Sequence, residues 1–109
     1  MDSSVEMIDC QNLVPGTLLE VETKSRRYQI ESIEGNKVRI SGHPDYCPEP
    51  VTAWLGGSIG PDGSLEFGLI ENGRRMMVVF GDGHPVTTSR VQRVRLSRPA
   101  APKSPPSVH

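Results

Sequence analysis

Between Leu13 and Leu96 apolar and polar residues alternate with period two, and glycine or proline interrupts the chain before a helical period can establish itself. In Leu19-Glu20-Val21-Glu22 the apolar side chains fall on one face and the carboxylates on the other. Tyr28-Gln29-Ile30-Glu31, Lys37-Val38-Arg39-Ile40 and Arg93-Val94-Arg95-Leu96 repeat the scheme. Successive side chains of a strand point to opposite faces, so this pattern describes antiparallel strands with one face on a core and the other in water. Eleven glycines and ten prolines in 109 residues leave no room for a long helix. Asp9 caps at most a single turn through Leu13, before Pro15-Gly16 turns the chain into its first strand.

The turns sort the strands into pairs. Glu34-Gly35-Asn36 joins the second and third alternating segments as a hairpin. Leu65-Ile70 and Arg75-Phe80 flank Glu71-Asn72-Gly73-Arg74, and Asn-Gly between two apolar runs predicts that these segments pair with each other. The unbroken apolar run from Met76 to Phe80 predicts either a strand covered on both faces or one with Met76, Val78 and Phe80 inward. In the second case Met77 and Val79 form a contact face for a protein partner or a second copy. Gly56 to Gly63 lacks the Gly-Lys-Ser/Thr ending of a phosphate loop; it is expected to supply a turn at Pro61-Asp62-Gly63 and a bulge before it. Thr87-Val91 is expected to form a short 3₁₀ turn. The expected fold class is all-β: a small SH3-like barrel of five to seven antiparallel strands over residues 13–97, with an OB-like barrel as the alternative. Residues 1–12 are an N-terminal segment. Residues 98–109, with four prolines and no large apolar side chain except Val108, read as a disordered proline-rich tail with a Pro99-x-x-Pro102 spacing.

Pro15-Gly16 before an alternating strand, Gly42-His43-Pro44, Trp54 to Gly57-Ser58, the Asn72-Gly73 turn and Thr88-Ser89-Arg90-Val91 together resemble a group of short bacterial proteins of uncharacterised function. The resemblance spans roughly residues 13–96 and implies a compact single domain of bacterial type. It carries no activity and no site residues.

Charge offers two readings. The net charge of −1 hides an asymmetry: residues 1–70 hold eleven acidic and five basic side chains, residues 71–109 two acidic and seven basic. A basic late face could bind nucleic acid, with Arg74, Arg75, Arg93 and Arg95 on phosphates and Tyr46 and Trp54 as stacking residues. Alternatively the first and last strands lie side by side, as is common in SH3-like barrels, and Glu20 and Glu22 face Arg93 and Arg95 as cross-strand ion pairs.

Gly-His-Pro occurs twice, at 42–44 and 83–85, and Cys47 follows the first. Imidazole and thiolate are zinc ligands, so His43, Cys47 and His84, with Cys10 as a fourth candidate, form a candidate metal set; without a Cys-x-x-Cys pair, ordinary turn geometry competes with it. No other cofactor is suggested. Ser58, Ser89, His84 and Asp82 belong to no nucleophile–base motif, so a non-enzymatic chain is expected. Met1-Asp2-Ser3-Ser4-Val5-Glu6 has no signal-peptide character and no apolar run suffices for a membrane span, so a cytoplasmic chain with Cys10 and Cys47 reduced is expected. The sequence therefore points first to a small β-barrel binding or adaptor module of unassigned partner. A metal-binding domain and a nucleic-acid module are its alternatives.

Overall fold

The computed structural model describes residues 3–96. Ten strands carry most of that chain: β1 (Ser3–Val5), β2 (Met7–Asp9), β3 (Leu18–Thr23), β4 (Arg27–Glu34), β5 (Lys37–Ser41), β6 (Val51–Ile59), β7 (Leu65–Phe67), β8 (Leu69–Glu71), β9 (Arg75–Phe80) and β10 (Pro85–Leu96). One 3₁₀ turn, Cys10–Asn12, is capped by Asp9, whose carboxylate accepts the Gln11 N–H, as the sequence suggested. The fold is all-β and barrel-like. The proline-rich tail and its Pro99-x-x-Pro102 spacing lie outside the described residues.

Six strands close a ring. β3 pairs with β4, β4 with β5, β5 with β6, β6 with β9, β9 with β10, and β10 returns to β3, every pair antiparallel. The inward residues of the alternating pattern fill it: Leu19, Val21, Tyr28, Ile30, Val38, Ile40, Ala53, Leu55, Met76, Val78, Val91 and Val94 are all buried. Closing a sheet on itself covers most of the edges of those strands and gives short strands a shared interior. β1 and β7 extend the sheet beyond the ring, on β10 and β6 respectively. β2 and β8 form a separate two-stranded ribbon, with Ile8 opposite Ile70 and both buried. β1 and β2 lie upstream of Leu13, where the alternation begins, so the chain pairs into sheets earlier than its pattern indicates.

Two local expectations are corrected. Asn72-Gly73 does make a turn, with the Arg74 N–H donating to the Glu71 carbonyl at 3.3 Å. However, the flanking segments are not a hairpin. Gly68, at φ +75°, splits the Leu65–Ile70 run, and a Cβ there would press on Gln11. The first piece then pairs with β6 and the second with β2. Thr87–Val91 is not a 3₁₀ turn but the bulged middle of β10, where the register slips between Thr87 and Arg90. Thr88 explains how the bulge is tolerated. Its buried Oγ1 accepts the Met76 N–H at 3.2 Å and donates to the Ser89 carbonyl at 2.6 Å.

Gly56 and Gly57 sit within β6, at the register slip between Leu55 and Gly57, and the turn falls at Gly60–Gly63, where the Gly63 N–H donates to the Gly60 carbonyl at 2.9 Å. Gly57 has φ +138°, and a Cβ there would overlap the Glu66 carbonyl oxygen of the neighbouring strand. Gly57→Ala is therefore expected to destabilise the fold by about 1–3 kcal/mol or more. Gly81→Ala, facing open space, should change stability by no more than about 0.5 kcal/mol. Urea unfolding of both variants checks the contrast.

Candidate functional site

The charged strip predicted between the first and last long strands is present. Arg93 lies opposite Glu22 and Arg95 opposite Glu20 in the β10–β3 register. Arg95 Nη1 donates to Glu20 Oε1 at 3.0 Å and Arg93 Nε stands 3.9 Å from Glu22 Oε1. From β4, Arg27 adds Nη2 to Glu22 at 2.8 Å and Nε to Glu20 at 3.4 Å. Such exposed pairs contribute a few tenths of a kcal/mol to about 1 kcal/mol each. Their larger consequence is that Arg93 and Arg95 each stand beside a carboxylate, in a strip where Glu20 and Glu22 are shared with Arg27.

Arg75 and Arg90 are different. They are Cα partners across β9 and β10, two like charges directly opposite, and neither makes an ion pair among the described residues. That juxtaposition is unfavourable in isolation. Both line a cleft of about 600 Å³ with Arg74, Asn72 and the Gly60-Pro61 turn. Arg74 Nε forms an ion pair with Glu71 Oε1 at 3.2 Å, but Glu71 Oε1, Arg74 Nη1 and Asn72 Oδ1 are all buried without hydrogen-bond partners. A native structure rarely leaves buried donors and acceptors open, and here two of the residues that carry them, Asn72 and Arg74, line one cavity.

The cleft is the basic end of a larger face. Alternation along β9 puts Arg75, Met77 and Val79 on the outer side, opposite the buried Met76 and Val78. The register adds Ile59 and Arg90 beside Arg75, Gly57 and Thr87 beside Met77, and Trp54 and Pro85 beside Val79, with Lys37 beyond Trp54. Trp54 is 38% exposed. Met77 lies over Gly56, where a Cβ would collide with its terminal methyl. The face thus runs from Lys37 and Trp54, across Met77, to the Arg75–Arg90 pair.

At the opposite end of β9 the two Gly-His-Pro loops converge, though not as a metal site. Tyr46 lies between them, its ring 4.7 Å from that of His43 and 5.7 Å from that of His84. His43 Nδ1 accepts the backbone N–H groups of Asp45 and Tyr46 at 3.1 and 3.4 Å, so that nitrogen is committed to the loop. Cys47 is fully buried, and burial pushes its thiol up, away from the thiolate a metal needs. Among the described residues no group of three or more His, Cys, Asp or Glu has metal-holding geometry, so the His43, Cys47, His84 set is not assembled. Cys10 is a free buried thiol as well, pushed up to about 12 by burial and by the Asp9 carboxylate.

Of the residues considered for nucleophilic chemistry, Ser58 Oγ donates to the Leu69 carbonyl and accepts the Glu71 N–H inside the fold, and Asp82 accepts the His84 N–H as a turn cap. No family model, curated protein or solved structure matches the chain. No helix among the described residues is long and apolar enough to cross a membrane.

The sequence missed Arg90 and Lys37 as members of the outer face, because only the strand register places them beside Arg75 and Trp54. The buried thiols generate a direct test. Neither Cys10 nor Cys47 should react with an aromatic disulfide reagent in the native protein at neutral pH, and both should react on unfolding. Rapid native labelling of Cys47 would contradict its burial.

Proposed function

We propose that this chain is a non-enzymatic binding module whose outer β6–β9–β10 face takes single-stranded nucleic acid. Arg75 and Arg90 would contact phosphates and Trp54 would stack a base, with Lys37 beside it. The observation that carries this reading is the Arg75–Arg90 pair, which has no ion-pair partner among the described residues and lines one cleft with Arg74. Two like charges held opposite each other are destabilising alone, and a bridging phosphate converts that repulsion into two charge-assisted hydrogen bonds. Trp54 supplies the aromatic surface that sequence-tolerant single-strand binders use, worth about 1–3 kcal/mol per stacked base. The overall charge of −1 limits long-range attraction, so contact is local and strongly dependent on salt.

Trp54 is the only tryptophan of the chain and reports its own occupancy. Titration with an oligothymidylate at low salt should quench its fluorescence, and the effect should disappear by moderate salt. Arg75→Ala with Arg90→Ala should weaken binding about tenfold or more, whereas Arg93→Ala, inside the compensated strip, should change it less than about threefold. Absence of any quenching or retention at low salt would overturn the reading.

Acidity should modulate the same site. Burial raises the Glu71 carboxyl above its usual 4.5, and the neighbouring Glu66, through a hydrogen bond and its charge, raises it further. Asp62, stabilised as the carboxylate by Ser64, is lowered instead. As pH falls, Glu71 takes up its proton before an ordinary glutamate would, and Arg74 loses its counter-charge. Affinity for the oligonucleotide should therefore rise on acidification, and Glu71→Gln should bind more tightly at neutral pH with a flatter pH profile; binding isotherms across the acid range measure both.

A further inference from the structure

A second concavity, of about 530 Å³, lies between the two Gly-His-Pro loops and is lined by Tyr46, Phe80 and His84 with the carboxylates of Asp45 and Asp82. Its rings form a continuous cluster. Tyr46 stacks on Phe80 at 5.9 Å and 22° and on His84 at 5.7 Å and 26°, while remaining 45% exposed. Exposed aromatic surface of this kind costs free energy in water unless something covers it. Asp45 and Asp82 make no ion pair among the described residues, in contrast to Glu20, Glu22, Glu31 and Glu71, each of which holds an arginine. Arg39, opposite Thr52 at the rim, is itself bound to Glu31 at 3.3 Å.

Both walls are fixed in advance. On one side His43 Nδ1 accepts the Asp45 and Tyr46 N–H groups, and the His43–Cys47 bridge closes the loop over the buried Cys47. On the other, Asp82 accepts the His84 N–H at 3.0 Å, the Gly83 N–H donates to the Phe80 carbonyl at 2.8 Å and the Phe80 N–H to the His84 carbonyl at 2.9 Å. π-faces attract a cation through the ring quadrupole, and unpaired carboxylates add a Coulombic term. We propose that this groove is a binding site for an organic cation of the alkylammonium class, such as the methylated head of a lysine side chain presented by a partner. The site is separate from the Arg75–Arg90 face and does not rest on the nucleic-acid reading, since an alkylammonium and a phosphate backbone have opposite charge.

The test is an amide NMR titration of the full chain with choline, set against its neutral isostere 3,3-dimethylbutan-1-ol and against sodium chloride at matched ionic strength. Choline should produce saturable shifts confined to residues 45–46 and 80–84, and the isostere should bind about tenfold more weakly, the factor that a cation–π and carboxylate contribution near 1.4 kcal/mol gives. Tyr46→Leu should lower choline affinity about fivefold or more. Because Tyr46 also packs in the ring cluster, the exposed pair Asp45→Asn with Asp82→Asn serves as a second variant that keeps the Asp82 turn acceptor; it should weaken choline and leave the isostere unchanged. Equal binding of choline and the isostere would reduce the site to an apolar groove and overturn the proposal. So would the absence of saturable shifts with choline, or undiminished choline binding by the double variant.

Discussion

The backbone pairing of β10 closes the ring, and it does so by changing partners along its length. Residues Pro85 to Arg90 pair with β9, residues Val91 to Leu96 pair with β3, and Val94 to Leu96 also pair with β1. A slip in register between Thr87 and Arg90 accompanies that change, and beside it Thr88 Oγ1 accepts the Met76 N–H of β9. An orphaned buried N–H costs about 1–3 kcal/mol, so one threonine hydroxyl has leverage over the closure of the whole sheet. The outer face depends on the same event. Arg90 lies opposite Arg75 only because the slip ends there.

The main strands were legible because their signal is local. Alternation alone placed Val21, Tyr28, Ile30, Val38, Ile40 and Val94 in the core, and it also paired Glu20 and Glu22 with Arg93 and Arg95 once the first and last strands were taken as neighbours. What failed to show was partner choice. Leu65–Ile70 reads as one strand of an Asn-Gly hairpin, yet the backbone of Gly68 divides it and hands each half to a different neighbour. Thr87–Val91 reads as a break in a strand, whereas the bulge keeps the strand continuous. In both cases a tertiary partner supplied hydrogen bonds that no local pattern announces.

The candidate sites were legible to a lesser degree and for the same reason. The repeated Gly-His-Pro marked two loops that do meet, but what lies between the imidazoles is the ring of Tyr46, with Cys47 buried below ligand reach. The excess of arginine late in the chain was visible, but composition could not say which of them are compensated. Register decides that: Arg93 and Arg95 face carboxylates, while Arg75 faces Arg90. The Arg75–Arg90 cleft and the Tyr46 groove thus lie at opposite ends of β9, with Trp54 and Val79 next to the groove; among the described residues the first is framed by guanidinium groups without an ion pair and the second by carboxylates without one.

Among the described residues, the strands that end the two sheets are short. β1 and β7, which end the main sheet, have three residues each, as do both members of the β2–β8 ribbon. A partner strand gains affinity from a row of backbone hydrogen bonds, and a three-residue border offers too few to hold one. This architecture therefore discourages recruitment by strand addition and the runaway stacking that can follow from it. A partner that meets those short borders is held by side chains rather than by backbone pairing, so its specificity can change by exchange of a few surface residues without touching the barrel.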